Sequence, residues 1–246
     1  MNATDAHATP PAAVTQRWRG AALWQTLAFA GVATLAVCAG LMMWVDEPLA
    51  RTMHGFAQTP VVAVFAIVTN LANSTIWYGL ALAGMGVALI AARRAPAQDA
   101  ATVLRKRLRA WTFLIISMII SGLLANGLKL VVGRERPAAL FGNGAATFHP
   151  LAQTMSSWSF PSGHAQSIWA AMIALAWIYP PLRAACFLLA VVVSASRVII
   201  GAHFLSDVIG GTYVAFAVSL LIRDVFERGG ITLDLSPSQD QREPTA

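Results

Sequence analysis

Long apolar runs constrain the fold of this chain more than any other feature. Six of these runs are close to or above the length of about 20 residues that a membrane-spanning helix needs. They are residues 21–45, 75–92, 110–132, 162–179, 182–200 and 206–225. Only 11% of the residues are charged, whereas about 25% are charged in ordinary soluble domains. The sequence therefore predicts an all-α fold, a polytopic membrane bundle of six transmembrane helices, and argues against a soluble globular protein.

The segments between and around these runs are shorter or polar. Residues 60–74 are apolar but contain two asparagines, which predicts a short interfacial helix, and residues 93–109 form a predicted basic loop. Residues 1–20 and 227–246 are polar and are predicted to be flexible cytoplasmic tails. The membrane domain is accordingly predicted to span residues 21–226.

The distribution of basic residues predicts the orientation. The net charge of +6 would also suit a nucleic-acid partner, but the basic residues lie in short clusters between apolar runs, which is typical of loops on one side of a bilayer. Six spans place both termini on the same side. If that side is the cytoplasm, only five of the 17 Lys and Arg residues fall outside, namely Arg51, Lys129, Arg134, Arg136 and Arg197. The count predicts an inner-membrane protein with cytoplasmic termini and no nucleic-acid partner.

Three short segments carry most of the chemistry on the predicted outer side. The third run ends in KLVVGRERP, the fourth begins with PSGH, and the fifth is followed by the last part of SRVIIGAHFLSD. Together they bring three cations, two histidines and one carboxylate to one membrane face. Cations close to hydrocarbon are costly and are usually functional.

The spacing within these segments favours a phosphate ester as ligand. Ser162 is a good N-cap, and Gly163 allows a ligand to approach the free amides of a helix N-terminus, where anions bind. Asp207 follows His203 by four residues, so on a helix it can bond one ring nitrogen and leave the other basic. Cations would neutralise the phosphate oxygens, while one histidine attacks phosphorus and the other protonates the leaving oxygen.

The three segments together resemble the signature of the type-2 phosphatidic acid phosphatase superfamily of membrane lipid phosphatases. That signature is Lys, six residues, Arg-Pro; then Pro-Ser-Gly-His; then Ser-Arg, five residues, His, three residues, Asp, and every specified position matches. The resemblance implies that His203 is a nucleophile forming a phosphohistidine, that Asp207 orients it, and that His164 is the acid. It implies no metal and no cofactor. The phosphate-binding residues that it implies are Lys129, Arg136, Arg197, Ser162 and Gly163.

The sequence thus predicts a metal-independent lipid phosphatase that hydrolyses a phosphomonoester or pyrophosphate at the outer membrane face. Phosphatidate, phosphatidylglycerophosphate, undecaprenyl pyrophosphate and a lipid A phosphate stay open as substrates, and the oligomeric state is open too. One alternative is a phosphotransferase that uses the same site with a lipid acceptor. Another is a non-catalytic transporter or scaffold, against which the lack of a clear internal repeat counts.

Three polar residues near these segments are interpreted as unrelated to the site. Arg134 and Glu135 fall in the variable stretch of the first segment and are predicted to face water. His149 lies in the following loop, with no partner at a recognisable spacing.

Overall fold

The fold consists of helices throughout the part of the chain that the structure describes. The computed structural model describes residues 12–142, 144–151 and 154–235, which contain nine α-helices, three short 3₁₀ turns and no β-strand. The α-helices are α1 (Ala12–Trp44), α2 (Asp46–Gly55), α3 (Pro60–Val68), α4 (Ser74–Arg94), α5 (Ala97–Val132), α6 (Ala138–Gly142), α7 (Gly163–Ile178), α8 (Arg183–Ile199) and α9 (Leu205–Arg228).

Among the described helices, five are long and apolar enough to cross a membrane. They are α1 from Ala22 onward, α4, α5, α8 and α9. Helices α2 and α3, with the 3₁₀ turn that follows α3, form a pair bent by 115°, as in a broken span or a re-entrant loop. The predicted all-α membrane bundle is confirmed, and the segment predicted as an interfacial helix belongs to this bent pair.

Helix α7 differs from the fourth span that the sequence predicts. It has 16 residues, which at 1.5 Å per residue is about 24 Å, shorter than the roughly 30 Å hydrocarbon core. It packs against α5, α8 and α9, and its small residues Ala170, Ala171 and Ala174 are fully buried. A central helix enclosed by protein is as apolar as a spanning helix facing lipid, so composition alone does not separate the two.

Several helix ends fall within segments predicted as loops or tails. Helix α5 begins at Ala97, so most of the predicted basic loop is helical. Helix α1 begins at Ala12, inside the predicted N-terminal tail. After α9 the chain packs back onto α7, where the Leu235 amide donates to the Ile178 carbonyl at 2.9 Å. The remaining tail residues, 1–11 and 236–246, lie outside the described residues.

Four helix ends meet at one end of the bundle, which we call the site end. They are the C-termini of α5 and α8 and the N-termini of α7 and α9. Helix α5 stops at Gly133, whose φ of +60° requires glycine. A Cβ at Gly133 would also lie 1.8 Å from the His149 carbonyl oxygen, so the loop after α5 folds back tightly over the helix end.

Candidate active site

A buried histidine and carboxylate form the centre of the site end. His203 lies in the turn between α8 and α9, and Asp207 lies in the first turn of α9. Their side chains are 2% and 0% exposed, and His203 Nδ1 lies 3.6 Å from Asp207 Oδ2. Because Nδ1 faces the carboxylate, Nε2 is the ring nitrogen left to react with a substrate.

Burial keeps the His203 imidazole neutral. It lowers the pKa of His203 below its usual value, the cations of Arg136 and Arg197 act in the same direction, and Asp207 opposes them in part. The net direction is downward, so the ring stays unprotonated at neutral pH. An unprotonated Nε2 retains the electron pair that nucleophilic attack on phosphorus requires.

Several donors hold the Asp207 carboxylate in one orientation. Oδ1 accepts a hydrogen bond from Arg134 Nη1 at 2.7 Å. Oδ2 accepts bonds from Ser159 Oγ at 2.6 Å and from the Phe204 amide at 2.8 Å. A buried carboxylate is costly unless its oxygens are bonded in this way. The result is a fixed acceptor beside His203.

Three cations surround this pair from two helix ends. Lys129 lies in the last turn of α5, Arg136 follows that helix, and Arg197 lies in the last turn of α8. Arg197 Nη1 donates to Thr69 Oγ1 at 2.6 Å. The Nε atoms of Arg136 and Arg197 are both buried and have no hydrogen-bond partner among the described residues. Buried guanidinium donors without a protein acceptor are suited to an anionic ligand.

The N-terminus of α7 completes the arrangement. Ser162 is its N-cap, buried, with Oγ accepting a long bond of 3.4 Å from the Ala165 amide. The Ser162 amide donates to the Asp207 carbonyl at 2.9 Å, which ties the start of α7 to α9. His164, in the first turn of α7, is exposed. Partial desolvation of the ring lowers the pKa of His164 to about 4, and the nearby charges of Arg197, His203, Lys129 and Arg136 act in the same direction.

The structure therefore brings the eight sequence-predicted residues to the same end of the bundle, within four helix ends and their flanking turns. The arrangement offers cationic and amide donors for a tetrahedral anion. It also offers two histidines, His203, which is buried, and His164, which is exposed. Fixed donors around a phosphoryl group are the main source of rate enhancement in phosphoryl transfer.

Comparison with known proteins agrees with this geometry. The sequence profile of the PAP2 superfamily matches residues 110–230, which include all eight residues. A lipid A 1-phosphatase of Rhizobium johnstonii is 31% identical over 239 residues, covering 92% of this chain and 93% of the relative. The chain belongs to the PAP2 superfamily. A lipid A 1-phosphatase of Rhizobium etli is 38% identical over 125 residues, about half of each chain (51% and 54%).

A solved structure shows the same PAP2 fold. It is the transmembrane PAP2 type phosphatidylglycerolphosphate phosphatase from Bacillus subtilis, with a TM-score of 0.54 over 82% of this chain and 96% of that one. Sequence identity is 20%. At that distance the likeness concerns the fold alone.

Two residues inside the first PAP2 segment lie elsewhere than predicted. Arg134 is only 5% exposed and bonds two carboxylates, so the prediction that it faces water is wrong. Glu135 accepts bonds from the Thr147 amide at 2.9 Å and from Thr147 Oγ1 at 2.7 Å, and its side chain is 13% exposed. His149, predicted to lack a partner, bonds Thr147 Oγ1 at 2.8 Å. The physical reason is that the loop folds back and pairs Arg134 with Phe148.

Sequence reasoning also missed three residues that bond the side chains of the site end. Thr69 bonds Arg197 and Ser159 bonds Asp207, both motif residues, while Asp46 bonds Arg134, which lies in the variable stretch of the first segment. Only Asp46 left a signal in the sequence, because a carboxylate at the end of an apolar run requires a cationic partner. Threonine and serine are too common in loops to stand out.

Gly163 tests the close approach between α5 and α7. A Cβ at Gly163 would lie 2.9 Å from Lys129 Nζ, so Gly163→Ala should displace the ammonium group from its place at the site. We expect kcat/KM to fall about tenfold, because small displacements of a charge-stabilising group are costly. Gly127→Ala is the control, since nothing lies within 4 Å of its Cβ and alanine favours a helix. Equal activity of both variants would show that the Lys129 position is unimportant.

Proposed function

We propose that this protein hydrolyses a phosphate monoester of a membrane lipid, and so releases inorganic phosphate, at the outer face of the cytoplasmic membrane. The phosphate would pass to His203 and then to water. The observation that carries the proposal is the buried His203–Asp207 pair, close to Arg136 and Arg197, whose buried Nε donors have no protein acceptor among the described residues.

Family membership establishes the general class of the protein, without its specific lipid substrate. The chain is a multi-pass membrane protein of the PAP2 superfamily, and its lipid A 1-phosphatase relatives make it a lipid phosphatase, a hydrolase that acts on a lipid phosphate. The identity of the lipid, the histidine intermediate and the orientation are the parts proposed here.

In the first proposed step His203 Nε2 attacks phosphorus. A P–N bond forms as the bond between phosphorus and the lipid oxygen breaks, and His164 donates a proton to that oxygen. The negative charge of the bound phosphate offsets the surrounding cations and so raises the pKa of His164, which allows the ring to carry that proton. The Nδ1 proton of His203 stays on the ring and bonds Asp207, which balances the positive charge of the phosphorylated imidazole. Lys129, Arg136 and Arg197 neutralise the non-bridging oxygens.

In the second proposed step water attacks the phosphohistidine. His164, now neutral, accepts a proton from the water as a new P–O bond forms and the P–N bond breaks. The electron pair returns to His203 Nε2, and inorganic phosphate leaves. The products are the free lipid alcohol and phosphate, and both histidines regain their starting protonation states.

Lipid A carrying a 1-phosphate is the substrate that we propose first. Two lipid A 1-phosphatases are among the relatives, and one matches over nearly the whole length of both chains. The other lipids left open by the sequence, phosphatidate, phosphatidylglycerophosphate and undecaprenyl pyrophosphate, serve as comparison substrates. Because the three cations would bind the phosphate group that all these lipids share, discrimination between the lipids must come from groups outside this cluster.

The proposed orientation rests on charge. The residues at the opposite end of the bundle include the basic stretch from Arg93 to Arg109, and positive charge is retained on the cytoplasmic side. The site end would then face outward.

A substrate panel tests the proposed function. Purified protein in right-side-out sealed vesicles is given each labelled lipid from outside, with and without a chelator. We expect free phosphate to form from lipid A at a kcat/KM about tenfold or more above the other lipids, which is the discrimination that a few contacts supply. Activity should persist in the chelator, because arginine and lysine side chains supply the charge that a metal supplies elsewhere.

Three results would contradict parts of this proposal. Label recovered on a second lipid instead of as free phosphate would favour the phosphotransferase. Hydrolysis only after the vesicles are opened would place the site on the inner face. Faster release from phosphatidate or a prenyl pyrophosphate than from lipid A would overturn the proposed substrate.

A further inference from the structure

A second buried carboxylate, that of Asp46, lies on the far side of Arg134 from Asp207. Asp46 is the first residue of α2 and is only 1% exposed. Its Oδ1 accepts a bond from the Ser206 amide at 3.1 Å, and its Oδ2 accepts bonds from Ser206 Oγ and from Arg134 Nη2, the latter at 2.9 Å. Three hydrogen bonds from Arg134 and Ser206 therefore hold the Asp46 carboxylate, which is almost completely shielded from solvent.

Arg134 connects this carboxylate to the one beside His203. Its Nη1 bonds Asp207 Oδ1 and Ser206 Oγ, each at 2.7 Å, and its Nη2 bonds Asp46. Its guanidinium group also lies over the Phe204 ring, 4.1 Å from the centroid. One rigid planar cation thus spans two anions, a geometry that the single ammonium of lysine does not reproduce.

A closed ring of hydrogen bonds fixes both oxygens of Asp207. Arg134 bonds Oδ1, the Arg134 carbonyl accepts from the Ser159 amide at 2.9 Å, and Ser159 Oγ bonds Oδ2 at 2.6 Å. Rotation of the carboxylate would break at least one bond of this ring. Oδ2 is the oxygen that faces His203 Nδ1, so the ring determines where the acceptor for Nδ1 lies.

Without Arg134 the Asp207 carboxylate would be held differently. Its Oδ1 would be left without a charged donor, and the cations of Lys129 and Arg136, which already interact with Asp207, would compete for it. Buried ion networks seldom stabilise a fold more than apolar residues do. A network of three buried charges directly behind a reactive histidine is better explained by orientation than by stability alone.

We propose that Arg134 and Asp46 are positioning residues that hold Asp207, and through it His203, in the reactive orientation. Neither touches the substrate: Arg134 orients Asp207, and Asp46 orients Arg134. The inference rests on the proposed role of His203 as the nucleophile. The inference also gives the bent pair formed by α2 and α3 a role in the site. Asp46, the first residue of α2, bonds Arg134, and Thr69, in the turn after α3, bonds Arg197.

Two variants test the inference. Arg134→Lys retains the charge but loses the planar fork, and Asp46→Asn removes the outer charge but retains an oxygen for Ser206. We expect kcat to fall by about 10- to 100-fold in Arg134→Lys and by a smaller factor in Asp46→Asn, as for a misplaced reacting group. KM and the inhibition constant of inorganic phosphate should change less than about twofold, because the three phosphate-binding cations are intact.

Counting intact sites separates positioning from folding. Calorimetric titration with inorganic phosphate gives the number of sites per protein, and we expect a stoichiometry equal to that of the unmodified protein. Arg51→Lys is the matched control, since Arg51 makes an exposed ion pair with Glu47 on α2, the helix that begins with Asp46. Its kcat should be unchanged, because exposed pairs contribute little.

Two outcomes would overturn the inference. One is an unchanged kcat in both variants, and the other is a loss of kcat that merely follows the loss of phosphate-binding sites. If Arg134→Lys yields no folded protein, Asp46→Asn decides by the same criteria. A failure of the proposed function is distinct, because it would appear as activity retained by a His203 variant.

Discussion

Replacement of His203 with alanine is expected to lower phosphate release from the lipid substrate by about a thousandfold or more. The substitution removes the only buried histidine of the site, whose Nδ1 faces Asp207 and whose Nε2 would form the bond to phosphorus. Removal of a nucleophile abolishes the covalent route and leaves only binding and charge stabilisation. The residual rate should therefore approach that of water attack within the site.

The measurement is phosphate release under saturating substrate, with phosphate-binding stoichiometry as the check on folding. His149→Ala is the matched control, because His149 is exposed and its Nε2 bonds Thr147 Oγ1 and lies 3.6 Å from Glu135 Oε1, both in the segment between α5 and α7. We expect the control to retain full activity. Undiminished release by His203→Ala would remove His203 from the mechanism.

Replacement of His164 with alanine should produce an effect that depends on the leaving group. For a lipid alcohol, loss of the general acid is expected to slow the first turnover by about 10²- to 10⁴-fold. For p-nitrophenyl phosphate, whose leaving group needs no proton, we expect a loss of less than about tenfold in the burst of nitrophenol. The exposed position of His164 at the first turn of α7 suits proton transfer to the lipid oxygen.

The first turnover is the informative quantity here, because the proposed second step also uses His164. Steady-state rates on both substrates would then fall together through slow hydrolysis of the intermediate. Equal losses in the burst phase for the two substrates would contradict the role of His164 as the acid.

The sequence predicted those parts of the site that depend on local order. Ser162 as an N-cap follows from helix geometry, and the structure places it so. Asp207 lies beside His203 as the spacing predicts, although His203 lies in the turn before α9 and not on the same helix. Apolar length likewise predicted the helices. Each of these features is decided within a few residues of chain, where spacing has a direct geometric meaning.

The features that the sequence did not predict depend on contacts between distant segments. Arg134 bonds Asp46 across 88 positions and Asp207 across 73. The Arg134 side chain points into the bundle because the loop after Gly133 folds back, and no local sequence pattern predicts that fold of the loop. The central position of α7 was missed for a related reason, since burial by protein and burial by lipid select the same apolar residues.

Trapping the covalent intermediate tests the central claim most directly. p-Nitrophenyl phosphate labelled in the phosphate is mixed with His164→Ala, in which formation of the intermediate should be little affected and its hydrolysis slow, and the reaction is quenched in base, where phosphohistidine is stable. The account predicts one labelled phosphate per active site, mapped to the peptide that contains His203. Release of nitrophenol with no label on His203, or label on another residue, would contradict it.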